Sequence, residues 1–338
     1  MVEWLLGLGG TFLILLVMVD VVWSTLSASG GGPLTDWLGG HLWRLARRGH
    51  RRFQNHNLLQ AAGVVNLLII VATWIVLVYV GWFLIFSIDP NAIIETETKL
   101  AASISDRVYY VGFSLFSLGT GDFNAIGEIW RLLTVLACIN GLSVLTLSIT
   151  YLIPIISAVT TQRQLAEMIN ALGSDPVEIV ENAWNGEDFE SLERTLPGLN
   201  SLIMQIAQRH LAYPVLHFFH SPQSSSSVGV AVARLDDATT ILRHGIDTTL
   251  RPDDRIVRST RHAIKIYMTR ISSAVLDTPD DVPPRPDVDP LRQNGVPLRS
   301  EEQIDLAFEE RCEHRKRLMM MVEVDGWRWD EVCKYNPS

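Results

Sequence analysis

The 338-residue chain has little cysteine: Cys138, Cys312 and Cys333 are the only three, and no spacing pairs them. That excludes a disulfide framework and a zinc module as the basis of the fold. Positive charge is also scarce. The formal net charge is −9, and residues 161–338 set 20 Lys and Arg against 28 Asp and Glu, so eight of the nine excess negative charges lie there. Nucleic acid bound through a basic face is excluded for that half. No nucleophile elbow or P-loop occurs, and no Gly-X-Gly-X-X-Gly follows a strand-like run. Neither an enzyme nor a cofactor is expected, nor the nucleotide-sensing domain that such a fingerprint would announce. No apolar segment carries arginines at every third position, which excludes the usual voltage sensor.

What is abundant is apolar residues: 48% of the chain, concentrated in the first 160 positions. A helix needs about 20 such residues to cross a bilayer. Three segments qualify: residues 4–26, 58–88 and 126–158. A cleaved signal peptide ending near Ser27-Ala28-Ser29 is the alternative for the first. The acidic Glu3, the missing basic n-region and the long apolar run favour a transmembrane helix. Arg44, Arg47, Arg48, Arg51 and Arg52 lie between the first two segments, and short basic loops stay in the cytoplasm. The N-terminus is therefore expected outside, residues 89–106 outside, and everything after about Thr160 in the cytoplasm. The outer stretch carries Asp89, Glu95, Glu97 and Asp106 against Lys99 and Arg107, a mildly acidic mouth for a cation or simply a solvated loop.

Residues 34–53 read as an amphipathic helix in the membrane interface, the alternative being a cytosolic helix packed on the soluble half. Leu34, Trp37, Leu38, Leu42 and Leu45 recur at helical spacing, Thr35 or Asp36 is available as a cap, and the arginines of Arg44–Arg52 suit anionic lipid headgroups. Asp20, inside the first segment, is expected to pair with one of these arginines or to reach water. Asn66 and Asn140 are placed to hydrogen-bond across helices. Pro154 is placed to bend the third long segment.

The stretch from Asp106 to Ile156 is the most telling. A short amphipathic run to Phe116 is followed by Ser117-Leu118-Gly119-Thr120-Gly121, then Asp122, then a long apolar segment. Irregular polar backbone at membrane depth is tolerated only where protein buries it or where it lines a water-filled path. Gly119 and Gly121 can adopt positive φ, so successive carbonyls can turn to one side and replace the hydration shell of a hard cation. The end of the preceding helix, with its partial negative charge, favours a cation there.

This stretch resembles the pore module of the potassium-channel superfamily, whose filter reads Thr-Val-Gly-Tyr-Gly-Asp. Both glycines and Asp122 fall in register, Tyr109-Tyr110 stand where the family often places aromatics, and Arg131 and Gly141 keep the spacings of simple two-helix bacterial channels. The resemblance covers roughly 50 residues closely. It implies a pore helix, a filter formed by Ser117, Leu118, Gly119, Thr120, Gly121 and Asp122, an inner helix hinged at Gly141, a homotetramer around a closed axis, and a permeant monovalent cation, K+ by family default. Thr120 replaces the filter Tyr and Phe113 the acidic residue behind it, so weak cation selectivity is the competing expectation. A membrane-anchored interaction protein that does not conduct is the third.

The expected fold is therefore an all-α membrane protein of the cell membrane. It has three transmembrane helices, a re-entrant pore helix with a filter loop, and an α-helical cytoplasmic domain. Residues 1–57 form the N-terminal helix and interfacial helix, 58–160 the pore module, 161–276 a helical domain, 277–299 a Pro- and Asp-rich linker, and 300–338 a final helix and tail. Helices are expected over 162–172, 175–184, 189–195, 199–219, 228–245, 252–276 and 300–324, with Pro197-Gly198 dividing two of them. His210, His217 and His220 could share a helix face. A packed, hydrogen-bonded role suits them better than a metal site, since no Cys or acid completes a set.

Overall fold

The computed structural model describes residues 2–27, 30–53, 56–119, 121–272 and 281–333. The chain folds as two compact units. The first comprises Met1–Leu45, Val64–Ile155 and Tyr213–Val215, and the second Ala46–Gly63, Ile156–Ala212 and Leu216–Ser338.

Three helices are long and apolar enough to cross a membrane: α1 (Val2–Leu26), α3 (His56–Phe86, of which Leu59–Phe86 is the apolar span) and α5 (Glu128–Asn170). Between them lie α2 (Pro33–Phe53), strand β1 (Ile93–Glu95), α4 (Ile104–Leu115) and strand β2 (Phe123–Ala125). Most apolar side chains of the three long helices point outward, the reverse of a water-soluble core. α1 and α3 meet where Gly10 and Gly81 face each other: a Cβ on Gly10 would lie 2.6 Å from the Gly81 carbonyl oxygen. Small residues at such a crossing let backbones approach closely without a hydrophobic driving force. Asn140 on α5 joins the same group. Its Oδ1 accepts from the Trp82 indole at 3.0 Å, and its Nδ2 donates to the Met18 sulfur at 2.8 Å. Asn66 on α3 donates to the Gly39 carbonyl of α2 at 3.4 Å. The cross-helix role expected of both asparagines is met.

Two expectations for this unit are corrected. The fold is not purely helical: β1 and β2 pair antiparallel, with Ile93 opposite Ala125 and Glu95 opposite Phe123. Their alternating residues are few, which is why no strand was legible. Asp20 pairs with no arginine among the described residues. It is fully buried, and Oδ1 accepts from the Leu34 and Thr35 backbone N–H groups at 2.7 and 3.2 Å. Oδ2 accepts from the Thr35 hydroxyl at 2.6 Å and the Trp74 indole at 2.8 Å. The carboxylate of α1 thus caps α2, in place of Thr35 or Asp36, at the end where the helix carries partial positive charge. α2 is helical over the expected residues, with Trp37, Leu45, Arg44 and Arg48 exposed. Pro154 sits within an unbroken α5.

The second unit contains α6 (Pro176–Ala183), α7 (Glu190–Ala212), α8 (Val228–Thr240, continued by a wider turn over Ile241–Gly245), α9 (Asp254–Ser272), α10 (Asp289–Gln293), α11 (Glu301–Glu309) and α12 (Cys312–Val324). α8 is central: Gly229 to Thr240 are all buried, including Arg234, Asp236 and Asp237. The last turns of α5 enter this core through Leu165, Ala166 and Ile169. Pro197 does not divide α7, because Leu196, Leu199 and Ile203 are buried on its inner face and that packing outweighs one lost backbone bond. The expected last helix is split at Glu310–Arg311. The expected linker over 277–299 is corrected too. Residues 273–280 lie outside the described set, but Val288, Leu291 and Val296 are core residues. The Pro283 and Pro284 carbonyls accept from Arg315 at 2.7 and 2.8 Å.

Candidate functional site

The site begins at the start of α4. Ser103 caps it through a capping box: its hydroxyl accepts from the Asp106 N–H while Asp106 Oδ2 accepts from the Ser103 N–H at 3.0 Å. Asp106 is thereby used within the helix. Arg107, also counted with the charges of the outer loop, is buried instead. It donates to the carbonyls of Ala102 (3.2 Å), Phe86 (3.3 Å) and Pro90 (2.6 Å). Phe86 closes α3, so the guanidinium satisfies carbonyls at a helix C-terminus and complements its dipole.

α4 is fixed laterally by its aromatics and by one glycine of α5. Tyr110 is buried, with its hydroxyl 2.8 Å from the Thr134 hydroxyl of α5. The Tyr79 hydroxyl donates to the Val108 carbonyl. Gly141 is buried against the C-terminus of α4, where a Cβ would stand 2.1 Å from the Leu115 carbonyl oxygen. No side chain fits at that distance. The need for glycine at 141 is thus met by close approach, within an unbroken helix, and needs no hinge.

The end of α4 is a Schellman turn. The Leu118 N–H donates to the Phe113 carbonyl at 3.0 Å and the Ser117 N–H to the Ser114 carbonyl at 3.2 Å, with Ser117 at φ +54°. Glycine usually fills that position, and a Cβ there costs roughly 1–2 kcal/mol. Gly119 follows at φ +70°, with nothing within 4 Å of where a Cβ would stand. Among the described residues of this loop, Ser117 and Gly119 are thus the left-handed ones. Gly121 does not take positive φ, contrary to expectation. Ser117, Leu118, Gly119, Gly121 and Asp122 are exposed, Leu118 by 68%, and Thr120 lies outside the described residues. Among the described residues, none donates to the carbonyls of Ser117, Leu118 or Gly119. The Gly121 and Asp122 carbonyls do have partners, the Thr96 hydroxyl at 2.7 Å and the Thr96 N–H at 2.8 Å. Asn124 donates to the same Thr96 hydroxyl at 2.8 Å.

Thr96 and Asn124 were missed in the sequence, since neither belongs to a motif. Their role follows only from the β1–β2 pairing that sets Thr96 beside the loop. The stretch thus brings together three carbonyls that no described residue occupies, a left-handed serine and a C-terminal end held by Thr96. Chemically it can offer hard oxygen ligands to a cation.

The histidines of the second unit do converge. His210, His217 and His220 line one cavity with Gln162, Ser221, Tyr267 and Asp325. His210 is committed, however. One ring nitrogen, Nδ1, donates to the Ile206 carbonyl at 3.2 Å, and Nε2 accepts from the Gln162 amide at 3.2 Å. Only the neutral ring satisfies both. Burial pushes its pKa down to about 4, helped by the nearby His217. His220 stacks on Trp327 at 5.5 Å and lies 3.6 Å from Asp325. Among the described residues no three His, Cys, Asp or Glu side chains form a metal-binding group, and the packed role expected of His210 is the one observed.

A protein of Bacillus subtilis (strain 168) described as "Uncharacterized membrane protein YdjJ" is 36% identical to this chain over 323 residues, covering 95% of this chain and 94% of that protein. No family model matches the chain, and no solved structure does. At that identity and coverage the chain belongs to the family of YdjJ, and it is a membrane protein.

Proposed function

We propose that this YdjJ-family membrane protein is one subunit of a tetrameric cation channel of the cell membrane, with residues 117–122 as its filter and K+ as its preferred ion. One observation carries the reading. Between two membrane-length helices, a twelve-residue helix ends in a loop whose residues 117 and 119 are left-handed and whose first three carbonyls accept no bond from the described residues. Alternation of hand turns successive carbonyls to one side, the arrangement that strips water from a cation. One chain supplies one such strand, so copies around a closed axis are needed. α4 is then the re-entrant helix, the N-terminus and residues 89–106 lie outside, and the second unit lies in the cytoplasm, as the basic α2 favours. Arg44 and Arg48, exposed beside Trp37 and Leu45, meet anionic headgroups.

A less selective pore is favoured by one detail. The Gly121 carbonyl is taken by Thr96, which removes one ligand from the outer end of the filter. Cation efflux from liposomes holding the purified protein tests the proposal. Flux is expected from the natural chain and is expected to fall at least tenfold in Gly119→Ala, with assembly intact. Absence of flux from the natural chain would favour a non-conducting membrane anchor.

A further inference from the structure

The second unit is acidic overall, yet in one of its cavities the ionisable side chains are all basic. A space of ≈ 70 Å³ between α9 and α12 presents Lys265 and Arg317, with His217 and His314, above the methionines Met268 and Met320; no carboxylate lines it. Most neighbouring cations are matched: Arg311 with Asp236, Arg315 with Asp237, Lys316 with Glu313 and Arg258 with Asp254. Among the described residues Lys265 and Arg317 enter no ion pair. Both are exposed, whereas the two methionines are each only 7% exposed. Two hydrated cations therefore stand at the rim of a dry, adaptable floor. Unbranched thioether side chains fit irregular apolar ligands, and a guanidinium fork matches a carboxylate in two places.

We propose that this cavity binds an amphiphilic organic carboxylate, its headgroup between Lys265 and Arg317 and its unbranched apolar chain on Met268 and Met320. The cavity is smaller than the 150 Å³ that accommodates benzene, so it takes a short stretch of chain rather than a whole long one. Neither a bare anion nor a neutral alcohol offers both halves. The inference does not depend on ion conduction.

Equilibrium dialysis of octanoate against the full chain in phosphatidylcholine nanodiscs tests it. Saturable binding is expected, weakened at least tenfold in Lys265→Gln/Arg317→Gln. It is expected to weaken also in Met320→Ser, which alters the floor and leaves the charges in place. Acetate and octanol are each expected to bind at least tenfold less tightly. Displacement of octanoate by oleate loaded into the nanodisc bilayer would point to a membrane fatty acid as the natural source. Persistence of binding would point to a soluble acid, and either upholds the site. Octanoate binding that does not saturate, or is equal in the double variant, or is matched by acetate or by octanol, would overturn the proposal.

Discussion

The two units bury acidic side chains in opposite ways. In the first, Asp20 is fully buried with no cation beside it among the described residues; two backbone N–H groups, a hydroxyl and an indole surround it. In the second, Asp237 takes a two-pronged pair from Arg315 at 2.9 and 2.8 Å, and Asp236 is held by Arg311 at 2.8 Å and His314 at 3.0 Å. Burial pushes the Asp236 carboxyl up, but the His314 hydrogen bond and the Arg311 charge outweigh it and hold it below the usual carboxylate range. Arg315 also stacks over Phe308 and Trp329. The difference teaches what each setting can supply. An apolar helix has no arginine to offer, but the N-terminus of a neighbouring helix provides fixed dipoles at no cost in buried positive charge. The core of the second unit can bury a guanidinium, provided its remaining donors find carbonyls, as Arg315 finds Pro283 and Pro284.

This contrast can be broken or sharpened by substitution. The largest effect is expected at the paired centre. Asp237→Asn or Arg315→Ala leaves a buried charge uncompensated and should cost about 3–5 kcal/mol. Replacing both by apolar residues should recover much of that loss, and denaturant unfolding of the full chain in detergent would show it. Equal losses in the single and double variants would mean that the pair is not the source.

His210 comes next, as a buried group with no countercharge of its own. Its folded pKa of about 4 lies below the ordinary 6.5. The unfolded chain therefore takes up a proton first as pH falls, and stability is lost between pH 6.5 and about 4, by roughly 3 kcal/mol. His210→Gln should flatten that part of the pH–stability curve, whereas a curve unchanged in slope would place the titration elsewhere. The smallest effect per group is expected at Asp20. Asp20→Ala leaves four donors unsatisfied, each costing about 1–3 kcal/mol before water or repacking relieves it. Asp20→Asn keeps an acceptor oxygen and should cost less than half as much. If Asn proved as damaging as Ala, the charge itself, not the acceptor, would be what matters there.

The membrane helices were legible because length and hydropathy alone decide them. α4, its loop and α2 were legible because glycine spacing and amphipathic period are local signals. Asp20 was legible as an intramembrane acid, but its partners were not. Leu34, Thr35 and Trp74 are brought to it by a helix start and by a helix 54 positions away. The Asp236–Arg311 and Asp237–Arg315 pairs span 75 and 78 positions, and no local signal announced them. Thr96 was invisible for the same reason. Gly141 was singled out as a hinge from spacing alone, which carries no trace of its close approach to the Leu115 carbonyl.

The reversal potential of the natural chain in a planar bilayer, with K+ on one side and Na+ on the other, bears most directly on residues 117–122. A pore built on the Ser117, Leu118 and Gly119 carbonyls, with Gly121 engaged by Thr96, should favour K+, though less sharply than a complete carbonyl filter would. A modest shift in the direction of K+ preference is the expected result. A preference for Na+, or no current at all, would contradict the account.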